Sequence, residues 1–210
     1  MSEFRRRLMQ GGKDYEIVDH ILTNGLAYID TGYFVNPNTE VELDCYVGTR
    51  GINNGGNNLF AATEGYTTYS TNHGASTVGA VIQNDAFYWC PKSLAGGGQV
   101  RNLSVTFNAR VLIGIRREGT STWYGYFGSN KTAALTGAPK SISNSLRLLA
   151  NSKDVPYNVS TPLKFYSFKI TENGEVIKHF VPAKKGDIYG MAEIIEGKFY
   201  QSPNGESFDY

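Results

Sequence analysis

The chain carries no strong excess of charge, and this absence removes whole classes of partner. Its 210 residues include 20 lysines and arginines against 19 aspartates and glutamates, for a formal net charge of +1 at pH 7. Proteins that attract nucleic acid or an anionic membrane through a long-range field usually carry a clear positive excess. The composition therefore predicts neither a nucleic acid nor a membrane as partner.

Cysteine and histidine are scarce, which argues against a disulfide scaffold and against a zinc site. Secreted domains stabilised by disulfides usually carry more than the two cysteines found here, Cys45 and Cys90. Both lie in strand-like surroundings, so they are either two buried thiols, which we favour, or one bridge. His20, His73 and His179 are far apart, and no H-x-x-x-H or C-x-x-C spacing occurs. We expect no metal motif.

Long apolar runs are also missing. No stretch is long enough for a signal peptide or a membrane span, and the first 16 residues, MSEFRRRLMQGGKDYE, hold a basic cluster instead. We therefore expect synthesis in a cytoplasm. The glycine run at 96–98 is not followed by Lys-Ser/Thr, as a phosphate-binding loop requires, and no Gly-x-Ser-x-Gly elbow appears.

Helical periodicity is absent except at residues 2 to 10, and strand patterns replace it. Glycine (24) and tyrosine (14) are abundant, which is typical of short strands and many turns. In TEVELDCYV one strand face carries Val41, Leu43, Cys45 and Val47. A hairpin is expected around Asn108-Ala109. About twelve strands separated by turns predict two antiparallel sheets packed face to face in one domain.

A second predicted hairpin near the end of the chain carries the most specific resemblance. YSFKITENGEVIKHFVPA, residues 166 to 183, has an Asn173-Gly174 turn and a Pro-Ala stop. Together with YIDTG at 28–32 and EIIEGKFYQSPNGESF at 193–208, it resembles the concanavalin A-like, laminin-G-like jelly-roll modules common in phage and gut-bacterial surface proteins. The resemblance covers about residues 15 to 210, and the start MSEFRRRLM is similar to leaders of such proteins.

The resemblance implies an all-β, two-sheet antiparallel jelly-roll sandwich at 14–210, preceded by a short basic arm at 1–13. It also implies a non-enzymatic protein of the phage virion surface, as a capsid decoration, head-fibre or tail-associated protein, with host glycan as a second partner. Whether the protein forms homo-oligomers is left open by the sequence. The alternatives are a bacterial carbohydrate-binding module and a polysaccharide-cleaving glycosidase of the concanavalin-like class. Such modules often hold calcium, for which Asp30, Asp85 and Asp187 are candidates that nothing groups together.

Three acids on one strand face, Glu40, Glu42 and Asp44, raise the question of catalysis. Glycosidases of this broad jelly-roll class use an E-x-D-x-x-E strand whose outer acids act as nucleophile and acid/base. Glu42-Leu-Asp44 matches the first half, but the position of the third acid holds Val47. We therefore expect no catalysis here, and we interpret the acids as a solvated strand face.

Aromatic residues are the better candidates for a binding site. Sugar rings stack on tryptophan and tyrosine while their hydroxyls bond to amides and carboxylates. Alternation places Trp123 on the strand face opposite Tyr124 and Tyr126. The candidate carbohydrate-binding residues are Trp123, Tyr124, Tyr126, Tyr66, Tyr69 and Trp89. The alternative is that these rings belong to the core and edges of the sandwich.

The basic arm at 1–13 is the candidate anchor to other virion proteins. Its apolar anchors would be Phe4, Leu8 and Met9, and its charges are Arg5, Arg6 and Arg7, which would pair with acidic groups. The alternative is a disordered, solvated terminus. The Gly11-Gly12 break favours an arm that is separate from the sandwich.

Overall fold

The computed structural model describes residues 13–49, 57–64, 76–83, 86–91, 101–136, 141–149 and 163–210. Within these ranges the chain forms seventeen strands and no helix, so no described helix could cross a membrane. The strand count exceeds the expected one because several pairings involve only two residues. Residues 1–12 of the arm, with the anchors Phe4 to Met9, lie outside the described ranges.

The strands are numbered along the chain. Those of the first half are β1 (Glu16–Ile17), β2 (Ile21–Leu22), β3 (Ile29–Phe34), β4 (Thr39–Val47), β5 (Asn57–Glu64), β6 (Ser76–Gln83), β7 (Ala86–Pro91) and β8 (Arg101–Ser104). Those of the second half are β9 (Ala109–Glu118), β10 (Thr122–Phe127), β11 (Asn130–Lys131), β12 (Leu135–Thr136), β13 (Ser145–Leu148), β14 (Leu163–Glu172), β15 (Glu175–Lys185), β16 (Ile188–Glu193) and β17 (Lys198–Tyr200).

Two antiparallel sheets form the all-β jelly-roll sandwich that the sequence predicts. The large sheet has the order β11-β10-β9-β4-β14-β15-β16-β17, with β1, β2 and β12 paired at its margins. The small sheet has the order β3-β13-β5-β6-β7-β8. The chain passes between the sheets after β2, β3, β4, β8, β12 and β13, so many neighbouring strands are distant in sequence.

The core lies between the sheets, where alternating side chains of both meet. Phe60 of the small sheet lies 5.9 Å from Phe168 of the large sheet between ring centroids, and Phe87 lies 5.7 Å from Phe127. The predicted inner face of β4 is confirmed, since its apolar side chains are buried. Cys45 among them is a buried free thiol, which confirms the buried-thiol interpretation for this residue and excludes a bridge to Cys90.

The Asn173-Gly174 turn is confirmed, with φ angles of 49° and 85° that suit a two-residue hairpin turn. The hairpin it joins, β14 and β15, lies in the interior of the large sheet, because β14 also pairs with β4. The expected stop at Pro182 is wrong: β15 continues to Lys185, and the carbonyl of Pro182 accepts a hydrogen bond from the backbone N–H of Val18.

The hairpin expected around Asn108 is also wrong. Strand β8 belongs to the small sheet and β9 to the large sheet, so the chain crosses between the sheets at this point. Asn108 has a φ of 55°, and its backbone N–H bonds to the carbonyl of Gly48 at 3.4 Å. The chain bends at Asn108, but a residue typical of turns does not by itself say whether the flanking strands pair.

Candidate functional site

Cross-strand register aligns a row of residues on the outer face of the large sheet, the face turned away from the small sheet. Glu42 of β4 lies opposite Gly114 of β9 and opposite Lys169 of β14. Gly114 in turn lies opposite Tyr126 of β10, and Lys169 lies opposite His179 of β15. We call these five residues the Glu42 row.

Glu42 is the centre of this row because three donors converge on its carboxyl group. Lys169 Nζ lies 3.1 Å from Oε1, while Arg116 Nη2 and Tyr126 Oη lie 2.5 Å and 3.2 Å from Oε2. Burial acts to raise the pKa of Glu42, but the hydrogen bonds and charges of Lys169 and Arg116 outweigh it and lower that pKa. Glu42 is therefore ionised at neutral pH.

Gly114 makes room for Tyr126 within the row. A Cβ at Gly114 would lie 2.7 Å from Tyr126 Oη and 2.9 Å from its Cε1, so the phenol can cross β9 only because the glycine has no side chain. The Arg116 guanidinium covers the ring, with Cζ 4.3 Å from the centroid. Burial, and then the charge of Glu42, raise the pKa of Tyr126, so the phenol keeps its proton.

An open pocket of about 280 Å³ lies beside the row, next to the β14–β15 turn. Its polar walls come from two acids and two bases together with a threonine, and its lining includes Glu40, Glu42, Arg116, Lys169, Thr171 and Val176. The formal charges of the four ionisable side chains cancel. The pocket thus offers fixed donors and acceptors at close quarters without a net charge.

The two acids next to Glu42 on the same strand face, Glu40 and Asp44, accept hydrogen bonds from the protein and are not merely solvated. Asp44 accepts two hydrogen bonds from Arg110, at 2.9 Å from Nε and 2.7 Å from Nη2. Glu40 accepts one from the backbone N–H of Arg117 at 3.3 Å. Val47 is fully buried at the position of a third acid. The interpretation of this strand face as merely solvated is corrected, because cross-strand arginines and a lysine pair with two of its three acids.

The row ends at His179, whose ionisation we expect to depend on Lys169. Burial, and then the charge of Lys169, lower the pKa of His179, while Glu193 and Glu42 act in the opposite direction. The Lys169→Met substitution should therefore raise this pKa, measured by NMR titration of the imidazole. Lys178→Met is the matched control, since Lys178 is adjacent in sequence but pairs with Glu196. Equal His179 titration in both variants would contradict this coupling.

The same shift has a consequence for stability. Because the pKa of His179 is lowered in the folded state, the unfolded chain binds this proton more readily. Well above pH 6.5, the ordinary pKa of histidine, His179 costs the folded state no stability in this way. As the pH falls below 6.5, the free energy of unfolding decreases. Glu42 adds a second loss, below its ordinary pKa of 4.5, when its carboxyl group is protonated and its ion pairs are lost.

The predicted aromatic candidates are placed mostly in the interior. Trp89 and Trp123 are each 1% exposed and lie between the sheets, so neither ring offers a face to a sugar, and the structure places them in the core. Tyr124 and Tyr126 lie on the outer face, as the alternation predicted, but are only 9% and 4% exposed. Lys131 Nζ covers Tyr124 at 4.3 Å from the ring centroid. Tyr66 and Tyr69 lie outside the described residues.

The calcium candidates are not brought together. Asp30 lies 3.4 Å from Arg147 and Asp187 lies 4.0 Å from Lys184, while Asp85 is outside the described ranges. In the described part of the chain, no group of three or more histidine, cysteine or acidic side chains is placed to hold a metal ion.

Sequence reasoning missed Arg116, Lys169 and Gly114 as members of the site. Arg116 and Lys169 are separated from Glu42 by 74 and 127 positions, so only the pairing of β4 with β9 and β14 reveals them. One available signal was the alternation in ARVLIGIRRE, which places Arg110, Gly114 and Arg116 on the polar face of β9.

Comparison with known proteins adds little. No family model matches the chain, and no curated protein does. Among solved structures, the alginate lyase AlgAT5 from polysaccharide lyase family 7 resembles it with 8% sequence identity and a TM-score of 0.40. The match covers 70% of this chain and 63% of the lyase, so this chain spans less than two thirds of that protein. A likeness this remote carries no argument about ligand or reaction.

Proposed function

We propose that the protein is a non-enzymatic jelly-roll protein of a phage virion surface, and that it binds host glycan in the pocket beside the Glu42 row. The pocket is the observation that supports glycan binding. It places the Glu42 carboxylate, the Arg116 guanidinium and the Lys169 ammonium group within one hydrogen-bonded cluster. Sugar hydroxyls both donate and accept, so a cluster that offers both functions suits them.

The balance of charge favours a neutral sugar. A carboxylated or sulfated ligand would meet Glu40 and Glu42 as well as the two bases, whereas a hydroxyl group can bond to either kind. The volume of about 280 Å³ lies just below the range of roughly 300–1,000 Å³ for sites of drug-sized ligands. A small unit, such as one sugar ring, is the appropriate occupant.

The ionisation of the row supports binding rather than cleavage. Hydrolysis of a glycosidic bond requires one carboxylic acid that donates a proton and a second carboxylate that acts as base or nucleophile. The lowered pKa of Glu42 makes it a poor proton donor, and the raised pKa of Tyr126 keeps its phenol protonated, so that it cannot act as a base at neutral pH. Asp44 is held by Arg110 in a two-point ion pair.

The virion part of the proposal rests on the sequence resemblance of the hairpin and the C-terminal segment. In this proposal the basic arm at 1–13 attaches the sandwich to other virion proteins and leaves the outer face free for the host. Many copies on one particle would then raise a weak affinity, of about millimolar strength for one site, to useful avidity.

Substitution of Glu42 should weaken glycan binding. We expect the chain, displayed in many copies on beads, to bind at least one neutral polysaccharide from a panel of bacterial capsules and cell walls. Glu42→Gln should weaken binding by about ten-fold or more, because hydrogen bonds to a charged group are strong. Asp44→Asn is the matched control, since it lies on the same strand face and loses a comparable ion pair outside the pocket.

The same wells are assayed for new reducing ends. Binding without new ends, lost in Glu42→Gln and kept in Asp44→Asn, would support the proposal. Failure of the wild-type chain to bind any polysaccharide would refute glycan binding, and release of reducing ends would favour the polysaccharide-cleaving alternative.

A further inference from the structure

Next to the pocket, Arg117 donates hydrogen bonds to residues of two different turns. Its Nη1 donates to Asn38 Oδ1 at 2.8 Å, and its Nη2 donates to Asn173 Oδ1 at 3.3 Å. Asn38 lies in the turn that leads into β4, and Asn173 lies in the β14–β15 turn. We call Arg117, Asn38 and Asn173 the rim. It joins the ends of three neighbouring strands of the large sheet.

Arg117 also fixes which way both amides face. A guanidinium group only donates, so each asparagine must turn its oxygen toward Arg117 and its Nδ2 group away from it. Among the described residues, neither Nδ2 group has a hydrogen-bond partner, although Asn38 is partly and Asn173 largely exposed. Two amide donors are thus held in fixed directions and are free to bind a ligand.

The rim is held in place before any ligand arrives. Asn173 occupies the left-handed region with a φ of 49°, where the following Gly174 completes the turn. The backbone N–H of Asn38 donates to Asn36 Oδ1 at 2.8 Å, and Asn36 Nδ2 donates to Glu172 Oε1 at 2.8 Å. Groups fixed in this way lose little conformational entropy on binding.

The rim and the pocket are contiguous. The backbone N–H of Arg117 donates to Glu40, whose side chain lines the pocket, and Gly174 beside Asn173 lines it as well. A ligand that fills the pocket and extends toward the turn would meet the amides of the rim next.

We propose that the rim is a second sugar subsite, so that the site accommodates at least two linked units of a neutral polysaccharide. This inference rests on the proposed function. The amides would donate to hydroxyl, ring or glycosidic oxygens of the second unit. Glu40 accepts a hydrogen bond from Arg117, and Glu172 and Glu175 flank the Asn173-Gly174 turn. These three acids outnumber the single positive charge of Arg117, which disfavours a uronate or a sulfated sugar there.

The test compares chain lengths and rim variants. The probes are gluco-, manno-, galacto- and xylo-oligosaccharides of one to six units, with binding measured by titration calorimetry or NMR shift mapping. Affinity should rise by about ten-fold from one unit to two, and Asn173→Gly or Asn38→Ala should each reduce that gain by about three-fold, the effect of one hydrogen bond. Binding of the single sugar should stay unchanged in both variants.

Asn108→Gly is the matched control. Asn108 also has a positive φ, where glycine is tolerated, and it lies at the opposite end of β9 from Arg117. It should bind all probes as the wild type does.

The outcomes separate this inference from the proposed function. If no probe binds, the inference is refuted, and the proposed function is refuted as well when the chain on beads binds no polysaccharide. If single sugars bind as tightly as longer chains, or if the rim variants match the wild type while Glu42→Gln loses binding, the rim is not a subsite and the pocket alone is the site. Loss of affinity for longer chains only, in both rim variants, would support the inference.

Discussion

Replacing Gly114 with alanine should destabilise the sandwich by about 3 kcal/mol or more, at the upper end of overpacking effects. The added Cβ would lie 2.0 Å from the backbone oxygen of Val41, a distance that no rotation of a side chain can relieve. Strands β4 and β9 would have to separate where they pair, and the Tyr126 ring would also be displaced. Equilibrium unfolding in urea, followed by fluorescence, would measure the loss.

Gly128→Ala is the control for this substitution. Gly128 has a φ of 61°, but nothing lies within 4 Å of an added Cβ. Its cost should be only that of a left-handed alanine, about 1 to 2 kcal/mol. Comparable losses in the two variants would contradict the steric argument. A Gly114→Ala protein that stays folded should also have a weaker Tyr126–Glu42 hydrogen bond, because the added Cβ displaces the phenol.

Much of the fold could be predicted because alternation along a strand is a local property. In β4 each apolar side chain is buried and the acids between them are partly exposed, as the pattern required. The Asn173-Gly174 turn could be predicted equally well, since few dipeptides adopt two positive φ angles. Pairing between strands is different. The chain bends at Asn108, but the hairpin predicted there does not form, because β8 and β9 belong to different sheets, which no local pattern determines.

The site could be predicted only in part, because its members meet through pairings of distant segments. The sequence predicts Tyr126 as a ring on which a sugar stacks, but its position follows from the absent side chain at Gly114 and from its hydrogen bond to the Glu42 carboxylate. The prediction that Trp89 and Trp123 bind a sugar fails for a related reason. From Trp123 onward, both faces of β10 are buried, so aromatic content alone could not distinguish a core ring from a binding ring.

Replacing Glu193 with alanine should lower the free energy of unfolding by about 3 kcal/mol or more, because three backbone N–H groups lose their hydrogen-bond acceptor. Glu193 is fully buried at the end of β16. Its Oε1 accepts from the backbone N–H groups of His179 at 2.8 Å and Ile195 at 3.1 Å, and its Oε2 accepts from that of Glu196 at 2.6 Å. Urea unfolding would again measure the change.

The neighbouring Glu196→Ala substitution is the matched control. The Glu196 side chain is 50% exposed and pairs with Lys178, so its loss should cost at most about 1 kcal/mol, as for other surface ion pairs. Glu193→Gln should fall between the two, since it keeps one oxygen acceptor but turns an amide toward the N–H of Glu196. Equal stability of Glu193→Ala and Glu196→Ala would show that the three hydrogen bonds contribute nothing.

The Glu193 substitution also probes the support of the Glu42 row. Two hydrogen bonds join the backbone of His179 to the end of β16 and the residue after it. Its N–H donates to the Glu193 carboxylate, and its carbonyl accepts from the N–H of Ile194 at 2.9 Å. Glu193→Ala removes both the first bond and a carboxylate whose charge raises the pKa of His179. If β14, β16 and the second bond keep the imidazole buried, only the charge effect operates, and the pKa should fall further below 6.5. A His179 pKa that rises toward 6.5 in folded Glu193→Ala would show instead that β15 loosens at His179 and that the burial of the imidazole decreases.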